Sequence, residues 1–305
     1  MSDRNPTLLS GGVGGARMAR ALVEAGVAPT IIVNVGDDDV IHGVHVSADI
    51  DTVAYTLAGI QGSQGWGIAD DTWTMMDHLS ALGIDTSFRL GDRDLAFCLA
   101  RTEMLRAGAT LSDAVSWLTA TLGIRPTLMP ATDDRLRTIV HTAEGHRLGF
   151  QEYFVTRGHS DIVAGLEFDG ADSAKPAPGV IDSIARAPVV VIAPSNPPLS
   201  IWPILAVSGI REALVAHPRV VAVSPLFAGR AKKGPADAVL ESLGLGTGTG
   251  AVLEAYSGII DTLVVDVVDS ADESLTTDDV AVVSVSTDLA TSGVDFATWL
   301  MEQYA

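Results

Sequence analysis

The sequence predicts an α/β fold built on a doubly wound, mostly parallel sheet. Short β-branched apolar runs alternate with segments of helical apolar spacing at both ends of the chain, the pattern of repeated strand–helix–strand units. The first strand runs into a glycine-rich turn and then a helix, which is typical of a Rossmann-like sheet. The 305 residues are 47% hydrophobic and 19% charged. Such a composition supports a large buried core rather than a disordered chain.

The first strand–helix–strand unit is legible residue by residue. TLLS (7–10) predicts a strand, residues 14–25 predict a helix, and TIIVNV (30–35) predicts a second, buried strand. GDDDVIHGVHVS (36–47) predicts a carboxylate-rich loop, and DIDTVAYTLAG (49–59) predicts a short helix. These elements place the loop at the carboxyl edge of the sheet, where α/β proteins bind ligands.

The middle of the chain predicts an insertion lobe over about residues 66–168, inside a single domain that spans 1–305. Segments of helical apolar spacing fill residues 66–122. They end in glycine, the usual C-cap residue, which supports the prediction that they are helices. Strand-like pieces follow up to residue 168, namely RPTLMP, RTIVHT, HRLGFQEYFV and IVAGLEF. The strand–helix alternation then returns and closes with a helix over 288–304. The lobe is therefore predicted to be helical with an α+β part.

Charge and cysteine content exclude several classes of protein. The net charge is −19, and lysine occurs only as Lys175, Lys232 and Lys233. No nucleic acid and no anionic membrane is expected as a partner, because both require basic patches. A lone cysteine, Cys98, gives neither a disulfide framework nor a thiolate zinc cluster. The start MSDRNP lacks signal-peptide features, and the longest apolar run is too short for a bilayer, so we expect a cytoplasmic protein.

The run LSGGVGGAR (9–17) leads from the first strand into the first helix. Gly12 and Gly14 fit part of the dinucleotide fingerprint, but Arg17 replaces its third glycine and Asn34 replaces the acidic residue after the second strand. A Walker A lysine is also missing, so an NAD-dependent oxidoreductase or a standard ATPase is poorly supported. Bare amides at a helix N-terminus still favour a diphosphate, with Arg17 as an added donor. The alternative is a tight turn that lets helix and strand pack closely.

Five carboxylates follow the second strand, at Asp37, Asp38, Asp39, Asp49 and Asp51. So dense a group of like charges is repulsive unless a cation lies between them. A hard divalent ion that also bridges to a phosphate resolves the repulsion. The alternative is that some are caps and solvated loop charges, with Asp49 as the N-cap of the following helix. The nearby HxxH histidines are expected to serve packing rather than a metal.

Two later apolar strands run into proline-rich loops. APSNPPLSIWPIL (193–205) and VSPLFAGRAKKGPAD (223–237) supply small polar residues and the lysine pair. Rigid loops at the carboxyl ends of parallel strands are good places to hold a base or a phosphate. Proline also simply ends strands, which is the alternative. Two such loops in one sheet favour a binding role.

These motifs together resemble the 2-phospho-L-lactate transferase family, whose bacterial members act as phosphoenolpyruvate transferases. The resemblance covers about residues 8–243. The motifs that carry it are LSGGVGGARMARAL, VNVGDDDVIHGVHVSADIDTVAYTLAG, GWGIADDTW, LGDRDLA, LRAGATLSDA, FQEYFV, APSNPPLSIWPIL and SPLFAGRAKKGPA.

The resemblance implies a step in the biosynthesis of coenzyme F(420). The terminal ribityl hydroxyl of the deazaflavin Fo attacks the phosphorus of a guanosine-diphosphate-activated three-carbon acid, and GMP leaves. The acid is enolpyruvyl, lactyl or glyceryl, with enolpyruvyl favoured for a bacterial chain. A divalent metal, Mg²⁺ or else Ca²⁺ or Mn²⁺, is implied as the cofactor, and a homodimer is expected.

The resemblance also implies roles for individual residues. Asp37 and Asp51 are expected to hold the metal, and Asp49 is the candidate general base, with Asp51 also catalytic. The nucleotide-binding set is Gly11, Gly12, Val13, Gly14, Gly15, Arg17, Ser195, Asn196, Pro197, Ser200, Ser224 and Lys233. The Fo-binding set is Asn34, Asp51, Thr52, Tyr55, Trp66, Arg89 and Asp92.

An alternative without catalysis remains open. A related group of gluconeogenesis-factor proteins shares the glycine-loop core and is similar to a nucleotide-sugar-binding regulator. DIDT and LGDRDLA favour the deazaflavin site, and tight binding of Fo against binding of a UDP-sugar separates the two functions.

Overall fold

A seven-stranded sheet lies at the centre of the computed structural model, which describes residues 5–275 and 277–305. The strands are β1 (Thr7–Ser10), β2 (Thr30–Val33), β3 (Asp39–Ile41), β4 (Val44–Val46), β5 (Thr127–Pro130), β6 (Arg137–Thr142), β7 (Arg147–Gly149), β8 (Val163–Asp169), β9 (Val190–Ile192), β10 (Val220–Val223), β11 (Leu226–Phe227), β12 (Arg230–Ala231), β13 (Thr262–Val265) and β14 (Ala281–Ser284). The helices are α1 (Gly12–Glu24), α2 (Ala48–Leu57), α3 (Thr74–Ala81), α4 (Asp92–Arg106), α5 (Leu111–Thr121), α6 (Val180–Arg186), α7 (Trp202–Leu205), α8 (Ile210–Val215), α9 (Ala236–Ser242), α10 (Gly250–Ala255) and α11 (Gly293–Tyr304).

The central sheet confirms the doubly wound prediction. Its order is β14-β13-β10-β9-β1-β2-β5, and every neighbouring pair is parallel. The chain adds strands on one side of β1 first and then crosses to the other side, beginning with β9. The loops after β1 and β9 therefore diverge at a topological switch point, which is where open α/β sheets bind ligands.

The core explains the near-continuous apolar runs in the sequence. Strands β1, β9, β10 and β13 are buried along their whole length, since helices cover both faces of a parallel sheet. Helix α1 packs against α2 and α11, and α6 packs against α8. The edge strands β5 and β14 are partly exposed. Within the described residues, no helix has the length and apolar character to cross a bilayer.

Several elements differ from their predictions. The first helix begins at Gly12 rather than at residue 14, so three of the loop glycines, Gly12, Gly14 and Gly15, lie in its first turn. Strand β5 falls in the segment predicted as a lobe, yet it pairs with β2 as an edge of the central sheet. Residues 152–156 were expected to be strand-like and form a π-helix. Ser47, not Asp49, occupies the N-cap position of α2.

The remaining part of the predicted lobe is helical and α+β. Helices α3, α4 and α5 precede β5, and β6, β7 and β8 form an antiparallel sheet of order β7-β6-β8. A separate lobe over 66–168 stays a prediction.

Candidate active site

The loops after β1 and β9 are locked together at the switch point. Ser195 Oγ donates to Gly11 O at 2.7 Å and accepts from Gly11 N at 3.3 Å. A Cβ added to Gly14 would lie 2.0 Å from Pro194 O, so no larger residue fits there. Ser200 borders Gly11 in the same way, since a Cβ added to Gly11 would lie 2.7 Å from Ser200 Cβ. The structure thus brings together the glycine loop and the first proline-rich loop, as expected for one binding site.

Asp49, a residue of α2, contacts the N-terminus of α1. Its Oδ1 accepts from Gly12 N at 2.7 Å, and its Oδ2 accepts from Asn34 Nδ2 at 3.0 Å. Burial raises the pKa of Asp49 to about 6, although both hydrogen bonds oppose that rise. One amide predicted for a diphosphate is therefore already bonded to a carboxylate. The next two amides of the first turn, at Val13 and Gly14, have no acceptor within the helix itself.

Four of the five predicted carboxylates are buried at this edge of the sheet: Asp37, Asp38, Asp49 and Asp51, each at most 6% exposed. Burial raises the pKa of Asp37 well above its ordinary value, and the Asp49 charge raises it further. One oxygen of Asp37 and one of Asp38 are buried without a hydrogen-bond partner. Asp39 lies outside the group, with its Oδ1 bonded to the amide of Val40 at the surface.

Asp51 is held by Arg101, a residue that the sequence analysis did not identify. Arg101 Nη1 donates to Asp51 Oδ2 at 3.0 Å, and Nη2 donates to the other carboxylate oxygen. Arg101 is 2% exposed. Burial raises the pKa of Asp51, and the neighbouring guanidinium opposes that rise. The one signal that the sequence offers for Arg101 is that its charged side chain lies on the same face of α4 as buried residues such as Cys98.

The HxxH histidines, His42 and His45, have different partners. His45 Nε2 lies 2.9 Å from Asp38 Oδ2, to which Ser47 Oγ also donates at 2.8 Å. His42 Nε2 instead lies 3.2 Å from Phe88 O. His42 thus contacts the backbone of Phe88, whereas His45 supports the carboxylate group, and a loop or packing role for the pair stays a prediction.

Gln151 anchors the acidic loop from the other side. It belongs to the FQEYFV motif, is 5% exposed, and donates from Nε2 to Asp37 O at 2.6 Å. Gly36 packs so tightly that an added Cβ would lie 2.6 Å from Thr138 Oγ1. The Gly36 amide donates to Asn34 Oδ1 at 2.7 Å. The backbone that carries Asp37 is thus fixed by residues of three different segments.

A second group of potential ligands lies behind Asp51. Its members, Asp51, Asp94 and Cys98, have ligand atoms within 4.8 Å of one another. Tyr55 donates to Asp94 Oδ1 at 2.9 Å. Burial raises the pKa of the Cys98 thiol, so it is protonated at neutral pH, and Arg101 already supplies the positive charge. Hydrogen bonds from Tyr55 and Arg101 thus hold the two carboxylates of this group.

The other residues predicted for the deazaflavin fall into two classes. Thr52 and Tyr55 are buried on α2 beside the carboxylates. Trp66, Arg89 and Asp92 are at the surface. Arg89 pairs with Asp77 at 2.7 Å and lies over the Trp73 ring, and Asp92 accepts from the first two amides of α3. Asp92 also borders a groove of about 500 Å³ formed with apolar side chains of α3 and α4.

The other residues predicted for the nucleotide are spread around the switch point. Asn196 Oδ1 accepts from Leu199 N at 3.2 Å and caps the π-helix that begins at Pro197. Ser224 is buried after β10, the neighbour of β9, and accepts from Leu226 N. Lys233 Nζ donates to Gln64 O at 3.0 Å. Arg17 lines a groove of about 250 Å³ between α1 and the start of α11.

Comparison with known proteins assigns the chain to a family. Residues 7–297 match the family described as 2-phospho-L-lactate transferase CofD. The chain is 43% identical over 252 residues to a 2-phospho-L-lactate transferase of Methanopyrus kandleri, covering 82% of this chain and 81% of that protein. It is 44% identical over 273 residues to a phosphoenolpyruvate transferase of Kitasatospora aureofaciens, covering 86% and 84%.

A solved structure shows the same fold. Protein BH3568 of Bacillus halodurans, described in a second crystal structure as a member of the upf0052 family, superposes with a TM-score of 0.64 at 17% identity. The match covers 98% of this chain and 99% of that one. At this identity the likeness concerns the fold alone. The sequence matches over nearly the whole chain decide the assignment: the protein belongs to the 2-phospho-L-lactate transferase CofD family.

Proposed function

We propose that this chain transfers a phosphoenolpyruvyl or 2-phospho-L-lactyl group from a guanosine-diphosphate-activated donor to the ribityl hydroxyl of Fo, with release of GMP. The observation that carries the proposal is the group of four buried carboxylates, Asp37, Asp38, Asp49 and Asp51, beside the glycine loop at the switch point. The names of the relatives support the transfer of a three-carbon phospho-acid.

The bonds exchanged are those of a phosphoryl-type transfer. The Fo hydroxyl oxygen forms a bond to the phosphorus that carries the acid. The bond between this phosphorus and the oxygen that bridges to the second phosphate breaks, and GMP leaves with that oxygen. The hydroxyl proton goes to Asp49, whose raised pKa, about 6, suits a proton acceptor near neutrality. The amides of Val13 and Gly14 stabilise the charge on the phosphate oxygens.

The acidic group fits a hard divalent cation, for which we propose Mg²⁺, with Ca²⁺ or Mn²⁺ as replacements. Asp37 and Asp38 each hold one buried oxygen without a partner, and the donor set consists of oxygens. Asp37 and Asp51 would hold the ion, since each Asp51 oxygen keeps a second lone pair beside its bond from Arg101. When bound, the ion would neutralise charge on the donor's phosphates.

The two ligands would occupy different parts of the molecule. The nucleotide lies over the switch-point loops near Ser195, Asn196, Ser200 and Ser224, and Fo lies toward α2, with its flat ring system at the apolar groove beside Asp92. A groove of about 500 Å³ is within the size range of small-molecule sites. We also propose a homodimer, tested by light scattering of the purified protein.

The decisive experiment supplies Fo, Mg²⁺ and each of the three activated acids, enolpyruvyl, lactyl and glyceryl, and follows products by mass spectrometry. Formation of one phospho-acid–Fo product together with equimolar GMP is expected. No product with any donor, combined with tight binding of a UDP-sugar and none of Fo, would overturn the proposal in favour of a regulatory nucleotide-sugar-binding protein. Chelation of divalent ions should stop the reaction and re-addition should restore it.

A further inference from the structure

We propose that Arg101 is a positioning residue for the transfer reaction, because its guanidinium fixes the orientation of the Asp51 carboxylate among the other three carboxylates. The inference rests on the proposed function, since it concerns the same site. It is carried by the packing of α4 against α2 and β4, which the sequence does not predict.

The contact between the two side chains is a two-point clamp. Two different nitrogens of Arg101 donate to the two different oxygens of Asp51. A planar guanidinium bonded in this way fixes both the position and the rotation of the carboxylate plane, which a single hydrogen bond cannot do. A carboxylate has about four lone-pair sites, so the clamp leaves the remaining ones for a cation or the acceptor hydroxyl.

Arg101 is itself held rigidly. Its Nη1 also donates to His45 O at 3.2 Å, and the adjacent Thr102 Oγ1 accepts from His45 N at 2.7 Å. Helix α4 therefore binds both backbone groups of His45. The His45 ring in turn lies 2.9 Å from Asp38 Oδ2. One turn of α4 thus fixes Asp51 directly and Asp38 through His45.

The competing interpretation is that the Arg101–Asp51 pair only joins two helices. A structural pair affects how much protein is folded, whereas a positioning pair affects what each folded molecule does. A lysine substitution separates bond geometry from charge, since a lysine ammonium keeps the charge but cannot donate along two parallel bonds. Removal of residues that orient ligands costs about 10–100-fold in metal affinity or activity in other metal sites.

The test compares Arg101→Lys with Arg106→Lys as a matched control. Arg106 lies on the same helix, is exposed, and bonds to Glu103 and to Gly43 O. For each variant we would measure kcat, KM for donor and Fo, the melting temperature, and Mn²⁺ binding by electron paramagnetic resonance. Arg101→Lys is expected to lower kcat and to weaken Mn²⁺ binding by at least about tenfold, with KM for the donor unchanged. Arg106→Lys should match the parent protein.

Two outcomes would overturn the inference. One is Arg101→Lys with parental kcat and Mn²⁺ affinity per folded molecule, whatever its melting temperature. The other is measured in the parent protein, so it tests the inference even if the variant does not fold. Arginine side-chain resonances should show Arg101 shifting on titration with Mg²⁺ while Arg106 does not, so an unmoved Arg101 would contradict the placement. A parent protein without transfer activity overturns the proposed function and leaves both binding measurements valid.

Discussion

The backbone amide of Gly12 donates a 2.7 Å hydrogen bond to Asp49 Oδ1. A carboxylate from the acidic edge of the sheet therefore contacts the first amide of α1, in a position that other glycine loops offer to a phosphate. The pair couples the proposed proton acceptor to the proposed donor-binding loop. Asn34 completes the arrangement with a 3.0 Å bond to the other oxygen.

The first prediction concerns Asp49→Asn. An amide keeps the shape and the bond from Gly12 but cannot take the hydroxyl proton, so kcat should fall about 10²–10⁴-fold. In the parent protein, kcat should rise as pH increases through about 6, the pKa of Asp49, because the base form is then populated. That limb should vanish in the variant. Asp39→Asn is the control, since Asp39 lies outside the buried group, and retained activity in Asp49→Asn would exclude the role.

The second prediction concerns Asp51→Asn. The residue types alone suggest a variant that loses metal-dependent transfer and keeps its fold. The structure adds a cost, because the change leaves the Arg101 guanidinium buried without its counter-charge. Loss of one partner of a buried pair destabilises a protein by about 3–5 kcal/mol. Urea unfolding should show this loss, and a double variant with Arg101→Met should regain most of it. Parental stability in the single variant would contradict the prediction.

The third prediction concerns the packing of the glycine loop. Gly14→Ala would place a Cβ 2.0 Å from Pro194 O, and backbone atoms must move to relieve that contact. Overpacking of this kind costs about 1–3 kcal/mol, and here it should also weaken binding of GDP, measured by calorimetry. Gly165→Ala is the matched control, because an added Cβ there meets nothing within 4 Å. Equal stability of the two variants would show that the two loops are not locked.

The fourth prediction concerns pH and Asp94. Burial raises the pKa of Asp94 to about 7, and the Asp51 charge adds to that rise. The folded protein therefore keeps this proton up to about pH 7, whereas the unfolded chain releases it near pH 4. Stability from this group is present at low pH and is lost as pH rises from 4 to 7, by at most about 4 kcal/mol. Asp94→Asn should remove that loss, so unfolding curves from pH 5 to 8 should diverge between the two proteins. Parallel curves would contradict the assignment.

Much of the fold was predictable from local patterns. The parallel strands are short apolar runs with no polar alternation, and helices such as α1, α2 and α6 end within two residues of a glycine or a proline. The placement of β5 was not predictable, because its pairing with β2 depends on contacts distant in sequence. The π-helix over 152–156 was missed for a related reason: aromatic and β-branched residues there resemble a strand, while packing determines the backbone.

The candidate site was predictable to a similar degree. The convergence of Asp37, Asp38, Asp49 and Asp51 follows from sheet topology, since both acidic stretches come after one strand. The partners of these residues do not follow from it. Arg101 reaches the Asp51 carboxylate, and Gln151 reaches the backbone carbonyl of Asp37, from segments far along the chain. A single sequence carries no signal for such pairing.

The contact between the loops after β1 and β9 has a consequence for the rigidity of the site. It is made by Gly11, Gly14, Pro194 and Ser195. Two loops joined by reciprocal hydrogen bonds and a backbone contact form a preorganised floor that shifts only as a unit. By contrast, Lys233 contacts Gln64 O through a single exposed hydrogen bond, which constrains its segment less than the paired loops constrain each other.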